Sequence, residues 1–478
     1  MPVSMKTRVL VVAIIVSFVV FLDGAVTNVA LPAIKRELGG GLAVQQWVVD
    51  GYLITLGSLI LLAGSLSDHY GRLRIMRIGL FGFAITSLAC ALAPTGEFLV
   101  GARIVQGAAG ALLVPSSLAL IIATFPAAEQ GKAIGRWTAW TTAAFLAGPA
   151  LGGLLVDAVS WRLIFGINLL PIAVALWLMR KIDQASEDRV RQQIDFVGAA
   201  LGVVGLAGPV YALIEQGRYG WTSPLILVPL IVGVASLTTF IWWESRAPNP
   251  MMPLSLFAQR NFAWGNLATF FIYAAFAFVG FAMTVFVQEA AGYTALLAGL
   301  VQVPSTVIMV VGSSFFGGLS SRYGPRLFMT VGPLVCAAGM LLTLSVTSDA
   351  VYWTQLLPGI LVLGVGMAIT VAPLTAAILG AVDPKRAGIG SAVNNAIARI
   401  AGLIAVACTG VIVGSTLDVT GYHRAAIACA AFLIVGGVIA FIGIRNPRKT
   451  DAPAAQPAAP ATPPAAPAPS APKTEPAA

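Results

Sequence analysis

Between Val9 and Ile444 the chain returns repeatedly to runs of about 20 mostly apolar residues, the length a helix needs to cross a bilayer core. A water-soluble fold is excluded, because so many apolar helices of that length would leave too little polar surface to face water. Charge usage agrees. Hydrophobic residues make up 58% of the chain and charged ones 10%, where soluble domains are roughly a quarter charged. In lipid each backbone N–H and C=O must be satisfied inside the chain, which long apolar runs achieve as helices. The expected fold class is an all-α integral membrane protein.

Apolar runs between polar or turn-rich breaks predict six spans near residues 9–31, 47–66, 75–93, 98–124, 133–156 and 162–179. Two more follow near 196–214 and 224–243, between polar breaks at 180–195 and 244–260. Six others follow near 262–287, 298–320, 327–346, 353–379, 388–415 and 424–444. The expectation is fourteen spans in four parts: 1–180, a six-helix bundle; 181–260, two additional helices and linkers; 261–445, a second six-helix bundle; and 446–478, an Ala/Pro-rich tail too poor in large apolar groups to fold. The first run resembles a secretory leader in hydropathy only. It contains Asp23 and Asn28 and lacks an AxA-type cleavage site, so it is expected to remain as a helix.

Lys and Arg gather in cytoplasmic loops of such proteins. With the N-terminus inside, the outer loops hold only Lys35, Arg36, Arg162, Arg218 and Arg424. Lys6, Arg8, Arg72, Arg74, Arg77, Lys132, Arg136, Arg322, Arg326, Lys385, Arg386, Arg445 and Arg448 fall inside. Both termini are therefore expected in the cytoplasm of a cell-membrane protein. The net charge of +9 reflects those loops and gives no reason to expect a nucleic-acid partner.

Cys90, Cys336, Cys408 and Cys429 all lie in apolar runs without CxxC or Cys/His metal spacing, so no metal site is expected. His69 and His423 lie outside the spans, and no nucleophile/base pair suggests an enzyme. No GxxxxGK[ST] loop occurs, so no cofactor is expected and the energy source would be an ion gradient.

GSLSDHYGR (Gly64 to Arg72) after the second span is echoed by GGLSSRYGP (Gly317 to Pro325) after the tenth, and Pro115 is echoed by Pro373. Both echoes run in the same direction, as in a parallel repeat of two bundles that rock about a central site.

Ionisable groups inside the spans are expensive unless they face protein or water, which makes them functional candidates. Asp23, Arg103 and Arg399 are the clearest, and Asp50 lies shallower, where it could be solvated, structural or part of transport. At a rise of 1.5 Å per residue, Asp23 lies roughly 12 Å and Arg103 roughly 8 Å below the outer ends of their spans, so they can share a depth. Arg399, about 15 Å into its span, forms a stripe with Ser391, Asn395 and Gly402 that is expected to line a cavity. The proton affinity of a carboxylate in such a place responds strongly to its neighbours, so Asp23 is a candidate proton carrier. The alternative is that it only bonds to neighbouring helices, and Arg399 could equally be an anchor between helices. The loop from Gly64 to Arg74 reads as a conformational latch or a generic positive turn, and GPALGG (Gly148 to Gly153) as a close-packing or bending motif.

FLDGAVTNVALP (Phe21 to Pro32), GSLSDHYGRLR (Gly64 to Arg74), RIVQGAAGA (Arg103 to Ala111) and LAGPALGG (Leu146 to Gly153) together resemble the major facilitator superfamily. Fourteen spans with LDxxVxNVALP resemble its drug:proton antiporter branch, and QQWVVDGYLIT (Gln45 to Thr55), IEQGRYGWT (Ile214 to Thr222) and NPMMPLSLF (Asn249 to Phe257) resemble exporters from antibiotic producers. The resemblance implies the major facilitator fold, with two six-helix bundles plus two extra central helices. It implies a coupling role for Asp23, proton transfer through Arg103, a gating loop at Gly64, Asp68, Gly71, Arg72 and Arg74, and an antiporter signature at Gly148, Pro149, Gly152 and Gly153. His69, Leu73 and Ser321 depart from its loop pattern. The expected function is proton-coupled efflux of a small amphiphilic drug or antibiotic, with Asp23, Asp50, Arg103, Asn395 and Arg399 at the site. The partners implied are protons, a small-molecule substrate and membrane lipid, in a monomer. The alternative is proton-coupled uptake of a small solute.

Overall fold

Uncharged runs of this length form helices because only a helix satisfies its own backbone in lipid, and the computed structural model bears this out. It describes residues 5–182, 194–383, 386–414 and 416–446. The tail from 447 onward and most of the expected break at 180–195 lie outside the described residues. The helices are α1 (Met5–Leu38), α2 (Gly41–Tyr70), α3 (Arg72–Ala91), α4 (Gly96–Thr124), α5 (Glu129–Ala158), α6 (Leu163–Met179), α7 (Phe196–Tyr219), α8 (Pro224–Glu244), α9 (Arg260–Glu289), α10 (Ala295–Tyr323), α11 (Pro325–Ser345), α12 (Tyr352–Leu379), α13 (Gly388–Val413) and α14 (Val419–Gly443). Thirteen of these are long and apolar enough to cross a membrane, and α6 is a shorter apolar helix. It is interrupted at Ile167 and Asn168, between Leu163–Gly166 and Leu169–Met179.

Helix ends follow from local chemistry. Thr95, Asp195, Thr294 and Asp418 each accept a bond from a backbone N–H in the first turn that would otherwise lack a partner. Gly71 and Gly324 end α2 and α10 at φ +98° and +86°, a region L side chains avoid. The two loops that echo each other in sequence therefore share one turn. Pro115 and Pro373 do not share a geometry. Pro115 sits in the first turn of Val114–Thr124, where its missing N–H is harmless, whereas Pro373 lies inside a continuous helix.

The first half packs α1 on α5 and α2 on α4, and the second packs α9 on α13 and α10 on α12. Equivalent helices thus make equivalent contacts, as a parallel repeat requires. The halves meet along α1–α9, α2–α13 and α5–α10. α7 and α8 pair with each other, and α7 lies against α2 and α13, where Ile54, Leu206, Val210, Leu403 and Ala407 form an apolar seam. The Trp47 indole N–H donates to Glu215 at 2.8 Å and holds α7 to α2.

Let the near face be the one where α1 begins, and the far face the one where it ends. On the far face Lys35 pairs with Glu289 at 2.7 Å, and Gln45 donates to the same carboxylate at 2.7 Å. Asp157 of α5 accepts from the backbone N–H groups of Ala295 and Leu296 at 3.0 and 2.8 Å, so a carboxylate of one half caps the first turn of α10 in the other. Below these links a Cβ at Gly153 would run into the backbone of Ala295 and Leu296, and one at Gly299 into the carbonyl of Pro149. The near segments of α5 and α10 are instead exposed on most of their faces. The described conformation is closed on the far face and open on the near one.

The far closure rests more on packing than on charge. Lys35 and Glu289 are partly exposed, and such pairs contribute only about 0–1 kcal/mol. Backbone contact at Gly153 leaves no room for a side chain. Gly153→Leu is therefore expected to lengthen the spin-label distance between the far ends of α5 and α10, while Glu289→Gln leaves it nearly unchanged. A Gly153→Leu protein with the wild-type distance would contradict this account of closure.

Candidate functional site

Asp23 lies in the middle of α1, and Arg103 and Gln106 lie three residues apart, hence on one face of α4. Close packing of α4 on α2 brings this face inward. A Cβ at Gly107 would strike the carbonyl of Tyr52, and the Thr55 hydroxyl donates to the carbonyl of Ile104 at 2.6 Å. Arg103 Nη1 then meets Asp23 Oδ2 at 2.5 Å, with the two side chains 1% and 0% exposed. The other carboxylate oxygen accepts from Gln106 at 3.1 Å and from Asn168 at 2.8 Å.

The pair sits in a wider network. Arg103 also donates to the Gln106 amide oxygen at 2.7 Å and to the carbonyl of Val48 at 3.0 Å. Its guanidinium lies 4.2 Å from the centre of the Tyr52 ring. Ser87 of α3 accepts from Gln106 at 3.0 Å and from Asn168 at 3.3 Å. Buried charges persist when paired and fully hydrogen-bonded, and five helices contribute to this group. Asn168 arrives from the break in α6.

The expected pairing of Asp23 and Arg103 at one depth is met. Gln106, Ser87 and Asn168 were not among the candidates. Gln106 could have been found from its spacing to Arg103, whereas Asn168 and Ser87 stand in runs whose pattern gives no hint of their direction.

Asp50 is different. Of the readings open for it, solvation does not hold, because it is 0% exposed and neither carboxylate oxygen has a hydrogen-bond partner. It lies on α2 at the seam with α13, near Cys408. One turn earlier Gln46 donates to the carbonyls of Val406 and Ala407 at 2.8 and 3.0 Å, where α13 breaks at Cys408. The seam is thus tied beside a buried carboxyl that has no partner.

Arg399 projects from α13 toward the first half, with its guanidinium carbon 5.6 Å from the Phe21 ring centre. Its Nε donates to Asn395 one turn earlier at 3.0 Å. The expected stripe divides: Ser391, Asn395 and Arg399 are half-buried, while a Cβ at Gly402 would lie 3.0 Å from Ala277 of α9. Gly402 is a packing residue.

Gly148 and Gly152 let α5 approach α1 beside Asp23. A Cβ at Gly148 would lie 2.6 Å from that of Ala25, and one at Gly152 3.0 Å from that of Val26. Pro149 and Gly153 of the same motif face α10 across the halves. In the loop after α2, Asp68 pairs with Arg72 at 3.2 Å, Gly71 supplies the left-handed turn, Gly64 has open space beside it and Arg74 is exposed. Among the described residues no group of three or more His, Cys, Asp or Glu is placed to hold a metal.

The profile of the Major Facilitator Superfamily matches residues 13–406. The chain is 34% identical over 438 residues to the methylenomycin A resistance protein of Streptomyces coelicolor, covering 91% of each. It is 36% identical over 409 residues to the multidrug resistance protein Stp of Mycobacterium tuberculosis, covering 84% of this chain and 75% of that one. Among solved structures, a D-xylose-proton symporter superposes with a TM-score of 0.67 at 15% identity, over 93% of this chain and 99% of the other. A bacterial homologue of the human lysosomal transporter Spinster, inward-facing and unoccupied, gives 0.67 at 14% identity, over 93% and 98%. Both structural matches speak to the fold alone, and the profile match together with the methylenomycin A resistance relative establishes that this multi-pass membrane chain belongs to the major facilitator superfamily.

Proposed function

We propose that the chain is a drug:proton antiporter, exporting a small amphiphilic drug or antibiotic by alternating access. The placement of Lys and Arg makes the near face cytoplasmic, so the described conformation opens inward. The names of the relatives, methylenomycin A resistance and multidrug resistance proteins, support a drug as substrate.

The observation that carries the reading is Asp50, a carboxyl without any partner at the seam that must part when the halves rock. An unpaired buried carboxylate is very costly, so in this conformation Asp50 holds a proton. Opening the far face breaks the bonds of Gln46 to α13 and wets Asp50, which then exchanges its proton with the outside. Closing that face carries the proton inward, and drug entering from the cytoplasm displaces it from Asp50 to that side. Asp23 has a different part. Held by Arg103, Gln106 and Asn168, it ties α1 to α4 and α6, and Gly148 and Gly152 pass movement of α5 directly to α1. Asn395 and Arg399 face the substrate.

The test is proton movement in acid-loaded inverted vesicles, followed with a pH-sensitive dye. Adding an exported drug is expected to release protons from the lumen. Drug-evoked proton movement into the lumen would favour symport and contradict this reading.

A further inference from the structure

Among the described residues Arg399 is the cation inside the bundle that has no counter-ion. Asp23 is neutralised by Arg103, and Asp50 is buried at the seam by Cys408. Among the described residues Arg399 has no ion pair, and its one side-chain bond goes to the neutral amide of Asn395. A guanidinium in a low-dielectric site without a counter-ion is costly, yet this one is held in position. Asn395 holds it from one turn below, and the Arg399 Cβ packs beside Gly57 of α2, 3.7 Å from where a Cβ there would stand.

Its surroundings are aromatic. Phe21 lies under the guanidinium, and its ring centre is 5.3 Å from that of Phe145 on α5, the two planes tilted by 50°. Phe145 is 50% exposed, on the segment of α5 that the near opening uncovers. An unpaired planar cation with donors in a fork matches a carboxylate, and the tilted rings offer a face for an aromatic body. A lipophilic cation would meet Arg399 as a like charge.

We propose that the central site takes an aromatic organic anion, with its carboxylate on Arg399 and its ring against Phe21 and Phe145. This rests on the antiporter reading for its transport role, but the binding site stands on its own geometry.

The test uses the purified full-length protein in detergent and three probes on one ring system: naphthoate, naphthalenemethanol and naphthalenemethylamine, with binding read by tryptophan quenching. Naphthoate is expected to bind roughly 10- to 100-fold more tightly than either other probe, the range for a hydrogen-bonded charge. Arg399→Gln should remove that advantage and leave naphthalenemethanol unchanged, while Arg399→Lys should keep most of it. Asn395→Ala, which frees the guanidinium without removing its charge, should weaken naphthoate severalfold. Naphthalenemethylamine binding as tightly as naphthoate would overturn the proposal, as would an Arg399→Gln protein with unchanged naphthoate affinity, which would make Arg399 an anchor between helices. Naphthoate bound through Arg399 without any proton movement in vesicles would instead overturn the antiporter reading and leave the anion site in place.

Discussion

Asp50→Asn is expected to abolish drug-evoked proton release from acid-loaded inverted vesicles while leaving the protein folded and able to bind drug. The amide has the shape of the protonated carboxyl, so it fills the same apolar seam beside Cys408 without strain. It cannot exchange a proton. No hydrogen bond is lost, because the carboxylate oxygens make none, and melting in detergent should change little or rise. Asp50→Asn vesicles with wild-type proton release would remove Asp50 from the mechanism. Loss of both proton movement and drug binding would assign it to the substrate instead.

The second large effect concerns the ion pair. Arg103→Gln should destabilise the first half by about 3–5 kcal/mol, the usual result of removing one partner of a buried pair. It leaves Asp23 with two amide donors and no cation, at 0% exposure. Asp23→Asn leaves Arg103 with the carbonyl of Val48, the amide of Gln106 and the ring of Tyr52, and should also be costly. The double variant Asp23→Asn/Arg103→Gln places neutral groups of similar shape in the same network and should lose less than the two single losses together. Thermal unfolding of the four proteins gives the cycle directly. Additive losses would mean that the two side chains act independently, against the geometry.

The architecture was readable because lipid makes it so: span lengths, the Lys/Arg placement and the parallel echo of two loops are each physical demands of a bilayer. Asp23 and Arg103 could be paired from depth alone, since charges inside a membrane seek each other. Three things were not legible. The break at Asn168 shows as no gap in the apolar run from 162 to 179, so the turn that brings Asn168 to Asp23 could not be read. Burial of Asp50 depends on the seam of α2 with α13, a contact between residues hundreds of positions apart, and sequence depth alone placed it near water. The echo of Pro115 and Pro373 marks equivalent spans but not equal geometry, because a proline in a first turn and one in mid-helix differ in whether a backbone bond is lost, which residue type does not reveal.

In the proposed cycle drug and proton compete through one buried carboxyl at the seam between halves. The most direct measurement is the proton release that accompanies drug binding to the purified protein in weakly buffered detergent, read with a pH-sensitive dye. The wild-type protein should release protons as drug is added, and Asp50→Asn should bind the same drug and release none. Equal release from both proteins, or drug binding by the wild type with no release, would contradict it.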